Sequence, residues 1–279
     1  MNREVILMAE LPEISKITSQ MNKELAGKTF FRIIVNQPKC LNMGCEDIER
    51  NCIGISISKV THIGKWICIA LCNSYYILIS LGMGGDILYK TNSLDLKNEK
   101  YHIIIQFTDG SGFVIRFYWF GKFHFTKNLE AHSQTKNIAP SPFDVSFNYE
   151  SFKKIFQNRR RSIKSILLDQ TMISGVGNMY VHDILFLAKL HPGSIAKHLQ
   201  DDEIENLYRS ILYVLNNSKS KETFAYEKDF YGNYGKYNTN NFIVAYRKDE
   251  KCPNCGKKIE KIKIGNTSSY ICSNCQVKK

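Results

Sequence analysis

The chain has 279 residues, 43% of them hydrophobic and 12% aromatic, enough to bury a full core and to make two domains the expectation. Its formal net charge of +12 is uneven: residues 1–150 carry 16 Lys+Arg against 14 Asp+Glu, and residues 151–279 carry 22 against 12. That excess points to a polyanion, most simply nucleic acid, with a solvated basic face as the plain alternative; no run of 18 apolar residues predicts a membrane span, and Val5-Ile6-Leu7 is too short an apolar stretch for a signal peptide.

In chain order, Pro12 followed by Ile14, Ile17, Met21 and Leu25 predicts an amphipathic helix with proline in its first turn. From Phe30 to about Phe125 the pattern is β. Ile55 to Val60 alternates, His62-Ile63-Gly64-Lys65 makes a turn, and Trp66–Leu71 and Tyr75–Leu81 read as half-buried strands. Tyr101–Phe107 and Phe113–Phe117 flank Thr108-Asp109-Gly110-Ser111-Gly112 as a hairpin. Several short strands at regular spacing predict a sandwich rather than a parallel sheet. Residues 137–147 read as a linker around Pro140 and Pro142, after which helical periodicity holds from Tyr149 to about Asn217. Within that half, Ser174-Gly175-Val176-Gly177-Asn178 is expected to open a helix that runs through Ala188. A glycine-bracketed turn at a helix start offers backbone N–H groups to a phosphate, though such turns also arise from tight helix connections. Arg159-Arg160-Arg161 and Lys164 supply a basic approach to it.

The last 28 residues hold Cys252-Pro-Asn-Cys255 and Cys272-Ser-Asn-Cys275, two Cys-x-x-Cys pairs 16 residues apart. That spacing sets four thiolates around one Zn²⁺, and the intervening segment, turning at Gly265-Asn266, predicts the hairpin of a zinc ribbon. A closed Cys₄ site keeps no open position, so this metal is structural. The other cysteines, Cys40, Cys45, Cys52, Cys68 and Cys72, follow no ligand spacing and read as reduced thiols, which suits a cytoplasmic compartment.

Glu10-Leu11-Pro12-Glu13, Leu167-Leu168-Asp169-Gln170, Gly175-Val176-Gly177-Asn178-Met179-Tyr180 continuing to His191-Pro192, and the ribbon with Cys275-Gln276 resemble, in order and spacing, the formamidopyrimidine-DNA glycosylase/endonuclease VIII family. The resemblance covers nearly the whole chain from Met8. It implies an α+β multidomain fold: an N-terminal β-sandwich with an N-terminal helix, then a helix-two-turns-helix module and a zinc-ribbon hairpin, with DNA in the groove between the halves. The corresponding boundaries are 8–136 for the sandwich, 137–147 for the linker, 148–240 for the helical module and 241–279 for the ribbon. The implied activity is excision of oxidised bases from damaged double-stranded DNA, with cleavage of the abasic strand. A family member with altered chemistry that only binds such DNA is the alternative. The implied protein is a monomer, cytoplasmic, and nucleoid-associated if prokaryotic.

The same resemblance implies the site. Ala9 stands where relatives carry a proline whose free amine attacks C1′ of the damaged nucleotide. Its own amine is free only if Met8 is the start and is removed; an α-amine with a pKa of about 8 is then a workable nucleophile. Glu10 matches a proton-handling carboxylate, and Lys65 a lysine beside the lesion phosphate. Lys164 and Asn178 match further phosphate contacts. Met83 and Phe120 match the side chains that fill the hole left by a flipped base, and Tyr118 stands where arginine is usual, so that stacking replaces its contact with the orphaned base. Thr267 occupies the ribbon position of an arginine, with Lys261 and Lys263 nearby on the strand. Residues 218–240, with Tyr226, Phe230, Tyr231 and Tyr234, resemble a mobile lesion-recognition loop.

Overall fold

The computed structural model describes residues 8–92, 100–221, 228–237 and 239–279. These form two compact units, one of residues 1–137 with 223–236, the other of 138–222 with 237–279.

In the first unit, helix α1 (Leu11–Leu25) precedes two antiparallel four-stranded sheets. One has the order β1 (Phe30–Val35), β6 (Ile103–Phe107), β7 (Gly112–Arg116), β5 (Asp86–Lys90). The other has the order β2 (Ile57–Ile63), β3 (Trp66–Leu71), β4 (Tyr76–Ser80), β8 (Lys122–Thr126). The strands form because their β-branched and aromatic residues alternate between faces. On β6, Ile103, Ile105 and Phe107 enter the main core, while Ile104 joins Tyr101 and Val114 on the opposite face. α1 closes the core with Ile14, Ile17, Met21 and Leu25, all buried, each contributing roughly 2 kcal/mol. The expected hairpin is present, pairing Gln106 with Gly112; Asp109 Oδ1 accepts the Ser111 N–H at 3.0 Å, and Gly110 takes a φ of +84°. One departure from the β reading is helix α2 (Cys45–Cys52). Its first turn carries Glu46 and Asp47, favourable at a helix N-terminus, and Ile48 and Cys52, four apart, bury the same face.

Part of the segment expected to resemble a recognition loop, residues 218–240, is tied into the fold. Helix α6 (Asp201–Ser220) extends into it, and Phe230 is fully buried in the first unit's core. Tyr89 donates its backbone N–H to Phe230 O at 2.7 Å, Gln20 Oε1 accepts the Phe230 N–H at 3.0 Å, and Tyr231 donates its hydroxyl to Glu24 at 2.7 Å. Tyr226 lies outside the described residues.

The second unit holds α3 (Tyr149–Phe156), α4 (Ile163–Leu167), α5 (Val181–Leu187) and α6. The expected helix after Asn178 starts at Val181, because residues 175–180 stay in turns. α6 is started by a capping box between Gln200 and Glu203 and tied to the preceding turn by Tyr180 Oη and Ser218 Oγ, 2.5 Å apart. A hairpin of β9 (Glu260–Ile264) and β10 (Thr267–Ile271) follows. Its apolar side, Ile259, Tyr270 and Cys272, clusters with Phe186 of α5 and Val244. Asp183, buried on α5, accepts the backbone N–H groups of Ile243, Val244 and Ala245 at 2.8–3.0 Å. No helix among the described residues is long and apolar enough to cross a membrane.

Candidate active site and zinc centre

Glu10 is the N-cap of α1, with Pro12 in the first turn. A reciprocal capping box joins it to Glu13, whose carboxylate accepts the Glu10 N–H at 3.1 Å. Ala9, Glu10 and Glu13 are 3%, 2% and 0% exposed. Lys65 follows Gly64, which takes a φ of +55° in the β2–β3 turn. Asn22 on α1 accepts the Val60 N–H of β2 at 2.8 Å and so fixes the helix to that strand. Burial lowers the Lys65 pKa from its ordinary value, against the pull of Glu10 and Glu13, which raise it. The structure therefore gathers position 9, two carboxylates and one desolvated amine. Glu13 is the member that sequence reasoning gave no role, because a glutamate in a helix's first turn already has a sufficient local reason to be there.

Of the expected wedge residues, Met83 is held by backbone pairing. Met83 pairs with Met8 on one side and Trp119 on the other, its N–H reaching Trp119 O at 2.9 Å. The glycines around Met83 are obligatory for this approach. A Cβ on Gly82, where φ is +65°, would lie 2.0 Å from Trp119 O, and one on Gly85 would lie 2.2 Å from Leu81 O. Met83 is half-buried. Tyr118, Trp119 and Phe120 are 56%, 52% and 76% exposed, and Phe120 holds a φ of +61°. The Arg116 guanidinium lies 5.5 Å from the Tyr118 ring centre and is itself held by Asp86 at 2.7 Å.

In the second unit, Gln170 clasps the glycine turn, accepting the Gly175 N–H and donating to Val176 O, both at 2.9 Å. Asn178 is half-buried, and its Oδ1 has no hydrogen-bond partner among the described residues. Lys164 differs from the expectation of a phosphate-facing lysine. It is 1% exposed, and its ammonium donates to Ser268 O at 2.5 Å and to Ser269 Oγ at 2.9 Å on β10. Burial without a carboxylate partner lowers its pKa to about 8. Thr267 is half-buried beside the Gly265-Asn266 turn, and its hydroxyl donates to Ile264 O at 3.4 Å.

The four ribbon sulfurs lie within 4.8 Å of one another, with Cys252 and Cys275 at 3.8 Å and Cys255 and Cys272 at 3.4 Å. A disulfide needs about 2.05 Å, whereas tetrahedral Zn–S bonds of about 2.3 Å set sulfurs at such separations. The Lys257 backbone N–H lowers the Cys255 thiol to about 7, which favours the thiolate a metal requires. Gln276 braces the second knuckle, accepting the Cys272 N–H and donating to Leu190 O, both at 2.9 Å. These residues fit one structural zinc.

Comparison with known proteins agrees with this geometry. Residues 8–123 match the model of the formamidopyrimidine-DNA glycosylase N-terminal domain, 138–226 that of its H2TH domain, and 249–277 the zinc finger found in FPG and IleRS. The formamidopyrimidine-DNA glycosylase of Desulforamulus reducens is 31% identical across 98% of this chain and 100% of its own, and that of Mycoplasma mobile 31% identical across 96% and 99%. Among solved structures, a complex between the Lactococcus lactis Fpg and an abasic site containing DNA superposes with a TM-score of 0.87 and 26% identity, over 96% of this chain and 100% of that one.

Proposed function

The chain belongs to the formamidopyrimidine-DNA glycosylase family, and from that premise we propose that it excises oxidised bases from duplex DNA and cuts the resulting abasic strand. The observation that carries this reading is the buried start of α1, where Ala9 and Glu10 lie together and Glu10 and Glu13 act on the charge of the Lys65 amine. Ala9 is joined to Met8 by a peptide bond in this chain, so its amine becomes a nucleophile when translation starts at Met8 and that methionine is removed. That amine attacks C1′ of the damaged nucleotide, and the C1′–N bond breaks to release the base. Ring opening, with protons passing through Glu10, leaves a Schiff base on the opened sugar. A primary amine gives an imine that must be protonated before it can act as an electron sink, whereas a proline would give the iminium directly. Loss of the C2′ proton then expels the 3′ phosphate by elimination. Lys65 holds the neighbouring phosphate, and Met83 and Phe120 fill the vacated stack. Tyr118 stacks on the orphaned base, and Asn178 and Thr267 contact the backbone. Lys164 serves the DNA through the hairpin it fastens. The work is done on cellular DNA in the cytoplasm.

A second reading has an observation of its own. Thr267, in place of a charged side chain, and an amide-linked Ala9 fit a protein that binds abasic DNA without cutting it. Borohydride trapping on abasic duplex, followed by mass spectrometry of the linked peptide, separates the two. An adduct on the Ala9 amine is the expected result. An adduct on Lys65 reassigns the nucleophile, and tight binding without any adduct sinks the lyase step.

A further inference from the structure

We infer that Trp119 is a base-stacking plate that works with Met83 and selects the nucleotide facing the damage by ring size. The inference rests on the proposed repair function, in which duplex DNA with an extruded nucleotide occupies this face. Met83 and Trp119 are paired directly across an antiparallel bridge, Met83 N to Trp119 O at 2.9 Å and Trp119 N to Met83 O at 3.5 Å. Residues so paired project their side chains from the same face, side by side. The indole is therefore the immediate neighbour of the thioether that enters the base stack.

The tryptophan is fixed without being part of the core. Its carbonyl is the atom that a Cβ on Gly82 would strike at 2.0 Å, so its backbone is locked against the glycine loop. The residue is nevertheless 52% exposed, and its ring has no aromatic or cationic partner among the described residues. Tyr118, one residue earlier, has the Arg116 guanidinium against its ring and shares the orphaned base with the indole, which is left open. A large, rigid, exposed aromatic on a locked backbone suits recognition of a flat apolar partner. In duplex DNA with one nucleotide extruded, that partner is the base of the unbroken strand that has lost its pairing mate. An indole face reads overlap area rather than a hydrogen-bond pattern, so purines are favoured over pyrimidines at that position.

The test uses the whole protein and duplexes carrying a tetrahydrofuran abasic analogue opposite each of the four bases, with binding followed by anisotropy. Trp66 is the other tryptophan, so the emission of Trp119 is taken as the difference between wild type and Trp119→Phe. We expect that emission to be quenched by abasic but not by undamaged duplex. We also expect Trp119→Ala to bind abasic duplex about tenfold more weakly, to lose the purine preference, and to bind undamaged duplex nearly as wild type does; Trp119→Phe keeps part of the preference. Damage-dependent binding with unchanged Trp119 emission, or an unaltered opposite-base ranking in Trp119→Ala, overturns this inference alone. Absence of any damage-dependent binding by wild type overturns the repair reading and this inference with it.

Discussion

Lys65 and Lys164 both lose water on folding, and their neighbours decide how each one titrates. The Lys65 amine is buried facing Glu10 and Glu13, while Lys164 is buried against neutral serine groups. For Lys164 the sign is definite. Its folded pKa of about 8 lies below the ordinary value of about 10.4, so above pH 8 the folded state releases a proton that the unfolded state keeps. Stability relative to Lys164→Met should therefore rise between pH 7 and 9.5; urea unfolding that gives a pH-independent difference would show that the amine is not desolvated. At the other lysine, Glu13→Gln removes a charge that holds the proton on. The pH profile of abasic-strand cleavage should move to the acid side, whereas an unmoved profile would leave Glu13 as a helix cap only. Lys65→Met should lower cleavage by about 100-fold or more through loss of its charge at the phosphate, read in single-turnover assays. Glu10 and Lys65 were singled out by their place in stretches that resemble the glycosylase family, a helix start and a Gly-Lys turn. Glu13 was not, because the lysine it faces is 52 positions away and only the α1–β2 contact brings the two together.

At the scale of elements, the parts readable from sequence are those whose geometry is set locally. The ribbon is one, since four cysteines at that spacing leave little freedom. Cys255→Ala should abolish the single bound zinc and weaken duplex binding, checked by metal analysis and anisotropy; full zinc occupancy with unchanged affinity would remove the ribbon from the binding account. The glycines at residues 82–85 do not show in the sequence as a lock, because what makes Gly82 obligatory is a carbonyl 37 positions later. Gly82→Ala faces both a left-handed φ and a 2.0 Å clash, and should separate Met83 from Trp119. We expect thermal stability to fall by roughly 2 kcal/mol and recognition of abasic duplex to be lost while undamaged duplex is still bound. Helix α2 escaped the β reading because its eight residues carry only two apolar anchors on one face, too few to outweigh the strands on either side.

Across the whole molecule the positive charge predicts binding that weakens steeply with salt, log K falling by about 0.9 per phosphate neutralised for each unit of log salt. Individual arginines should not contribute equally. Arg161 is already paired with Asp169 at 2.7 Å, whereas Arg160 is exposed and has no ion pair among the described residues. Arg160→Gln should reduce the salt slope by about 1, and Arg161→Gln by less; equal changes would mean that Asp169 releases its partner on binding. The broad division into a sandwich half and a helical half was legible from the change of period near residue 140. The return of residues 223–236 to the first unit was not, since Phe230 finds its neighbours, Tyr89 and Phe113, more than 100 positions upstream.

That buried phenylalanine also sets an order of events during synthesis. The first 137 residues contain every strand of the sandwich, yet its core lacks an aromatic ring until residue 230 has left the ribosome. Losing such a side chain costs about 3–5 kcal/mol, a large part of what holds a domain of this size together. The nascent first half therefore waits, incompletely packed, while most of the helical half is translated, and a gene truncated near the linker should yield a sandwich that unfolds at markedly lower temperature than the same unit in the full chain.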